Sequence, residues 1–172
     1  MAIYALGDRV PDIHETAYVH PDATIIGGVV LGPTASVWPH AVIRGDDNMI
    51  TIGAGSSIQD GAVLHCTPEL KTTVGDSCTV GHLAHLEGCT VLDHALVGSG
   101  AVVLHNAVIG RHALVGAAAL IPGGMEVPDR AMALGVPARI RPHAMEEFHA
   151  QMNVDTYIRR GEQFRAELRR LD

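Results

Sequence analysis

The feature that most constrains this chain is a period of six. Ile13, Val19, Ile25, Leu31, Val37 and Ile43 lie six residues apart, and small partners follow four positions later at Ala17, Ala23, Val29, Ala35 and Ala41. The spacing resumes at Ile52, Ile58 and Leu64, then at Val74, Val80 and Leu86. After a five-residue step it runs through Val91, Val97, Val103, Ile109, Val115 and Ile121, with Ala95, Ala101, Ala107, Ala113 and Ala119 as the small partners. An amphipathic helix repeats every 3.6 residues and a half-buried strand every 2. Six fits neither. It fits a short strand and a tight turn, repeated, with one bulky side chain pointing inward per rung. If three rungs close a triangular coil, residues three rungs apart stack about 4.8 Å from one another. Eighteen such rungs make six coils. Hydrophobic residues are 47% of the chain but aromatics only 3%, so the interior has to be built from thin aliphatic layers.

This repeat resembles that of left-handed parallel β-helices, and the handedness is taken from the resemblance. The pattern leaves register between Ile43 and Ile52 and again between Leu64 and Val74. Both stretches read as extruded loops, and loops on a rigid scaffold tend to carry function. The repeat stops after Pro122-Gly123-Gly124, where Pro128, Pro137 and Pro142 predict an extended crossing segment. From about Ala144 the pattern turns helical. Met145, Phe148 and Met152 share a face of one helix, and Ile158, Phe164, Leu168 and Leu171 roughly share a face of a second. The expectation is a β-helix domain over residues 1–142, a helical segment over residues 143–172 packed on its outside, and Ala2 to Leu6 added at an edge.

Charge and composition exclude several classes. The net charge is −7, and no cluster of Lys and Arg precedes the C-terminal end. Arg159, Arg160, Arg165, Arg169 and Arg170 alternate with Glu162 and Glu167, as on a solvated helix face. Nucleic acid is therefore not an expected partner. No apolar run approaches the roughly 20 residues of a membrane span, and the N-terminus lacks the charged and apolar regions of a signal peptide. The expected location is cytoplasmic, with no membrane partner. Cys66, Cys78 and Cys89 lack Cys-x-x-Cys spacing and read as small fillers of the repeat core.

Counting rungs also predicts which polar side chains stack. Ile43, Leu64 and Leu86 share a column, so the residues after them, Arg44, His65 and Glu87, form a second column on the same face. Val37, Ile58 and Val80 share another column, which places Trp38 by Gln59 and Pro39 by Asp60 and His82. Two imidazoles and a carboxylate suit a divalent metal with open positions for water. His65 and Glu87 share a face but His82 does not, so a single chain cannot bring all three to one ion. A homotrimer can, with His65 and Glu87 from one chain and His82 from its neighbour. His85 is the alternative third ligand; Glu87 is preferred because it stacks on His65. The plainer reading, solvated rung residues, covers His14, His20, His40, His94, His105, His112, His143 and His149.

Val37-Trp38-Pro39-x-Ala41-Val42-x-Arg44-Gly45-Asp46, Ile52-Gly53, Ile58-Gln59-Asp60-Gly61, His65, Val80-Gly81-His82 and Gly88-Cys89 together resemble the γ-class carbonic anhydrases and their bacterial homologues. Gly135-x-Pro137-Ala138 and the terminal helix extend the match over nearly the whole chain. The resemblance implies reversible hydration of CO2 to bicarbonate, with a metal lowering the pKa of water far enough to supply hydroxide near neutral pH. It implies metal ligands at His65, His82 and position 87, where this chain carries Glu instead of His. Zinc is the metal implied; the carboxylate makes iron or cobalt more suitable than in a three-histidine site. Arg44 and Asp46 match the salt bridge that orients neighbouring subunits. Gln59 matches a glutamine that orients the reacting water, with Asp60 beside it, and Asp47 matches a catalytic carboxylate. Tyr157 matches a tyrosine that the terminal helix brings near the site. Glu69, on a short insertion, is the one candidate for the family's proton-shuttling glutamate.

Two further functions stand beside this one. A weakly active or inactive metal-binding scaffold is suggested by Glu87 and the missing shuttle loop. A CoA-dependent acyltransferase is suggested by the repeat itself, which many such enzymes use.

Overall fold

A computed structural model describes residues 2–145 and 148–172, the side chains of residues 148–152 excepted. The chain is a parallel β-helix of the left-handed hexapeptide type, closed by one C-terminal helix. Each predicted column is a ladder of parallel strand pairs. Ile25, Ile43, Leu64, Leu86, Val103 and Ile121 stack on a first face. Leu31, Ile52, Val74, Val91 and Ile109 stack on a second, and Val19, Val37, Ile58, Val80, Val97 and Val115 on a third. These side chains and their small alanine partners form one continuous buried core. Cys66, Cys78 and Cys89 are buried in it with no disulfide. Burial pushes the Cys78 and Cys89 thiols up to about 12.

The repeat runs further than expected. It does not stop at Pro122. Val127 pairs with Ile109 on the second face, and Ala133 pairs with Val115 on the third. The third face thus carries seven rungs among the described residues, one more than six coils would supply. Val127 keeps the six-residue spacing from Ile121 across Pro122-Gly123-Gly124, and only the final rung is hidden, because its inward residue is an alanine. Met132–Leu134 then folds back on Arg139–Arg141 as an antiparallel pair, so the proline-rich stretch is a hairpin and not a crossing. At the other end Ala2–Tyr4 adds alongside Thr24–Leu31, as the edge reading anticipated.

The first register break is not a loop. Val42–Ile52 is a single long strand whose two halves pair with the two halves of Thr24–Leu31, the irregularity falling between Gly27 and Val29. The three extra residues are absorbed at a corner. Gly45 sits there because a Cβ would strike the Gly28 carbonyl of the coil beside it. The second break, after His65, leaves the strands before Thr72–Val74 re-enters the ladder.

Several histidines occupy corners for backbone reasons. His40, His94 and His112 adopt positive φ near 60° (59°, 61° and 56°), a conformation that His tolerates better than most residues.

One helix, Phe148–Glu167, replaces the two expected. Phe148 and Met152, assigned to the face of the first, have side chains outside the described set. Leu168 and Leu171 lie beyond the helix and are exposed. The helix packs on the third face, and Tyr18, Trp38, Tyr157 and Phe164 gather at that seam. Trp38 meets Tyr157 at 5.4 Å and Phe164 at 5.2 Å between ring centroids, both edge-on. Tyr18 touches Trp38 and Phe164. The Trp38 indole N–H donates to the hydroxyls of Ser36 and Ser57, both at 3.0 Å. No helix among the described residues is long and apolar enough to cross a membrane.

Candidate metal centre

Register builds the first half of the site. Arg44 is the strand partner of His65, and His65 is the strand partner of Glu87. The imidazole of His65 is held at both nitrogens. Nδ1 is 3.1 Å from Oε1 of Glu87, and Nε2 is 3.0 Å from Oδ1 of Asp46. Thr72 locks the corner beneath: its hydroxyl donates to the His65 carbonyl at 2.5 Å and accepts from the Gly88 amide at 2.8 Å.

Glu87 is the hub of a histidine cluster. Nε2 of His85 is 3.3 Å from its Oε2, and Nε2 of His105 is 3.6 Å from its Oε1. Burial would raise the Glu87 carboxyl, but the hydrogen bonds from His65, His85 and His105 outweigh it and hold the group below the ordinary glutamate range. Asp46 behaves alike. Burial pushes it up, while a backbone N–H, the His65 imidazole and the Arg44 guanidinium bring it below its ordinary value. His85 stacks on Val63, not on His65, and reaches Glu87 from two residues away on the same strand. His105 is the residue that sequence reasoning missed. Rung counting compares only like positions, and His105 reaches Glu87 from the corner of the next coil.

Asp46 forms its ion pair with Arg44 within one chain, while its other oxygen faces His65. Asp47 is exposed, and its carbonyl accepts from Arg9 at 3.1 Å. Ligand atoms of Asp46, Asp47 and His65 all lie within 4.8 Å of one another, a spacing that can hold a metal ion.

A second cluster lies at the corner between the third and first faces. Nδ1 of His82 is 2.9 Å from Oδ2 of Asp60. Both line a cleft of about 210 Å³ with Trp38, Pro39, Tyr157, Arg160 and Phe164. Tyr157 therefore does stand beside His82. Burial raises its hydroxyl pKa; Arg160, whose guanidinium lies 5.5 Å from the ring centroid, pulls it down, and Asp60 pushes it up. Gln59 is buried directly before Asp60. Glu69 pairs with the Thr67 hydroxyl at 3.4 Å. Among the described residues, His82 does not join the group of ligand atoms around His65.

No protein-family model matches the chain. It is 36% identical over 159 residues to the carnitine operon protein CaiE of Escherichia coli O157:H7, covering 91% of this chain and 81% of that one. The chain belongs to the CaiE family. Among solved structures, this CaiE-family chain is similar to a hexapeptide transferase family protein from Anaplasma phagocytophilum (TM-score 0.91, 30% identity, 95% of this chain and 98% of that one). It is equally similar to a putative acetyltransferase from Bacillus cereus (TM-score 0.93, 30% identity, 97% and 98%). Perosamine N-acetyltransferase from Caulobacter crescentus, solved with CoA and GDP-perosamine, matches less closely (TM-score 0.57, 32% identity, 77% and 57%).

Proposed function

We propose that this chain is a metal-dependent carbonic anhydrase-like enzyme, hydrating CO2 reversibly to bicarbonate at sites shared between the subunits of a homotrimer. One observation carries the reading: each of two imidazoles has Nδ1 against a carboxylate, His65 on Glu87 and His82 on Asp60. That arrangement fixes a tautomer whose Nε2 lone pair is left for a metal, as in carboxylate–histidine–metal sets; at His65 this nitrogen faces Oδ1 of Asp46. Carboxylate oxygens beside His65 complete a donor set that suits zinc, iron or cobalt. The residues present therefore fit a divalent ion.

His65 from one chain and His82 from its neighbour would hold that ion, with a carboxylate from beside His65; Glu87 is the one its column position names. When bound, the ion supplies the Lewis acidity that brings the pKa of water towards neutrality. The chain supplies the rest. Glu87 and Asp60 keep the two imidazoles oriented. Gln59, buried next to Asp60, positions the water by hydrogen bonding. Asp47, exposed at the rim, or solvent receives the proton. Tyr157 and Trp38 wall the cleft by His82 and limit access of bulk water.

The test is stopped-flow CO2 hydration by protein loaded with Zn2+, Co2+ or anaerobic Fe2+. Hydration above buffer that falls at least a hundredfold in His65→Ala and His82→Ala is expected. Fully loaded protein with no activity above buffer would exclude the reaction and favour a metal-binding scaffold.

A second reading rests on a different observation. His82 and Asp60 open onto a cleft with aromatic walls and one guanidinium, features that also suit a general base beside a CoA-type thioester. The similarity to a hexapeptide transferase family protein and a putative acetyltransferase supports it. Release of CoA from acetyl-CoA by metal-free protein with a panel of amine and hydroxyl acceptors, the acetyl group recovered on the acceptor, lost in His82→Ala and kept in His65→Ala, would favour this reading over the first.

A further inference from the structure

Resting on the metal-centre reading above, we infer that Glu87 is not a ligand of the ion: the ion sits at Nε2 of His65 beside Asp46 and Asp47, and Glu87 is the positioning residue behind His65.

The two nitrogens of His65 face different partners. Glu87 lies on Nδ1 and Asp46 on Nε2, at 3.1 and 3.0 Å. An imidazole offers a metal only one of them. Two donors of one tetrahedral ion stand about 3.3 Å apart, so either carboxylate is close enough, and the surroundings decide. Around Nε2 a third donor converges, Asp47, with all three ligand atoms inside 4.8 Å. Around Nδ1 none does among the described residues. The groups near Glu87 are His85 and His105, and each spends its Nε2 on a Glu87 oxygen. Glu87 is thus enclosed by imidazoles as a hydrogen-bond acceptor.

His82 shows the same division of labour, with Asp60 on Nδ1 and Nε2 left for the ion. Two histidines oriented alike give a consistent rule for the site, and Glu87 then corresponds in role to Asp60. The Asp46–Asp47 segment is also firmly held. Arg44 engages Oδ2 of Asp46, so Oδ1 is the oxygen turned to His65. Arg9 holds the Asp47 carbonyl. Next along the strand, the Asn48 amide meets the Cys66 sulfur at 3.2 Å, and the Asn48 side chain donates to the Pro68 carbonyl at 3.2 Å. Proton removal then falls to solvent, since Asp47 becomes a ligand.

The experiment titrates metal-free protein with Co2+ and Zn2+, reading the stoichiometry, the Kd and the Co2+ visible spectrum. Glutamine keeps the acceptor oxygen that Nδ1 of His65 needs but is a poor ligand. Glu87→Gln should bind within about threefold of the parent Kd with an unchanged spectrum, and Glu87→Ala should lose about tenfold, the usual cost of an orienting partner. Asp47→Asn, an exposed change that leaves the fold intact, should weaken binding at least tenfold and shift the spectrum; Asp46→Asn should do the same. Loss of binding in Glu87→Gln as severe as in His65→Ala, with both aspartate variants at parental affinity, overturns this inference and leaves Glu87 as the ligand. If the parent protein binds neither metal, the metal-centre reading itself fails.

Discussion

Glu87 stands where the γ-class resemblance calls for a histidine, and its neighbours explain how the chain accommodates the change. Three imidazoles surround the carboxylate, and two of them, His85 and His105, belong to positions that rung counting did not stack on it. The stacking of Arg44, His65 and Glu87 was legible in the sequence because a period fixes register, and register fixes neighbours in a parallel ladder. Asp46 on Nε2 of His65 was not. It lies within the residues that break the period, and no periodicity says which way such residues point. Cys78 and Cys89 were legible as core fillers, and their burial has a chemical consequence. With pKa values near 12 against an ordinary 9, both thiols stay protonated in the folded chain. Iodoacetamide at pH 8 should leave both unmodified in native protein and label both within minutes in guanidinium, as followed by mass spectrometry. The same shift sets a sign for stability. Above pH 9 the unfolded chain releases thiol protons that the folded chain retains, so stability should fall as pH rises from 9 towards 12. Replacing both cysteines by alanine should flatten that alkaline limb in denaturant titrations.

At the scale of elements, the rungs were readable and the helix was only half so. A strand of two residues whose inward side chain recurs every six carries its own address. The C-terminal helix has no such period, and its docking depends on four aromatic side chains scattered from Tyr18 to Phe164. Those aromatics could not be assigned to a repeat because they serve none; they lie outside the aliphatic core and form the seam with the helix. Gly161 marks how close that seam is, since a Cβ there would stand 3.2 Å from Cβ of Tyr18. Trp38 is the centre of the contact and is 4% exposed. Trp38→Ala should cost about 3–5 kcal/mol of docking and packing. The β-helix, held by its own ladders, should survive. The expected result is faster tryptic cleavage at the exposed Arg159 and Arg160 with an unchanged β signal in far-ultraviolet circular dichroism. A cleavage rate equal to that of the parent would mean that the helix is held by something other than this seam. Because Tyr157 and Arg160 line the cleft beside His82, the same variant should also weaken whatever function that cleft serves.

For the molecule as a whole, the β-helix gives the physical ground for the proposal that the site is divided between chains. Every outward side chain of a solenoid points away from its own core, so groups on different faces of one chain diverge. His65 belongs to the first face and His82 to the corner before it. In the proposed homotrimer a neighbouring chain brings the second imidazole to the first, and closed three-fold symmetry would do so three times over. This can be tested without any structure of the assembly. His65→Ala and His82→Ala each remove one half of every site, so each homotrimer should lack high-affinity metal. Unfolding the two variants together at equal amounts and refolding them gives mixed trimers. A complete site then needs His65 from one chain and His82 from the next, which random assembly supplies at about a quarter of positions. Metal content and CO2 hydration should therefore recover to about 25% of the parent, while the unmixed variants stay at background. If both histidines served one ion within a single chain, no mixture could restore a site and the recovery would be nil. The result depends only on which chains carry which histidine, and it holds whether Glu87 or the Asp46–Asp47 pair supplies the carboxylate.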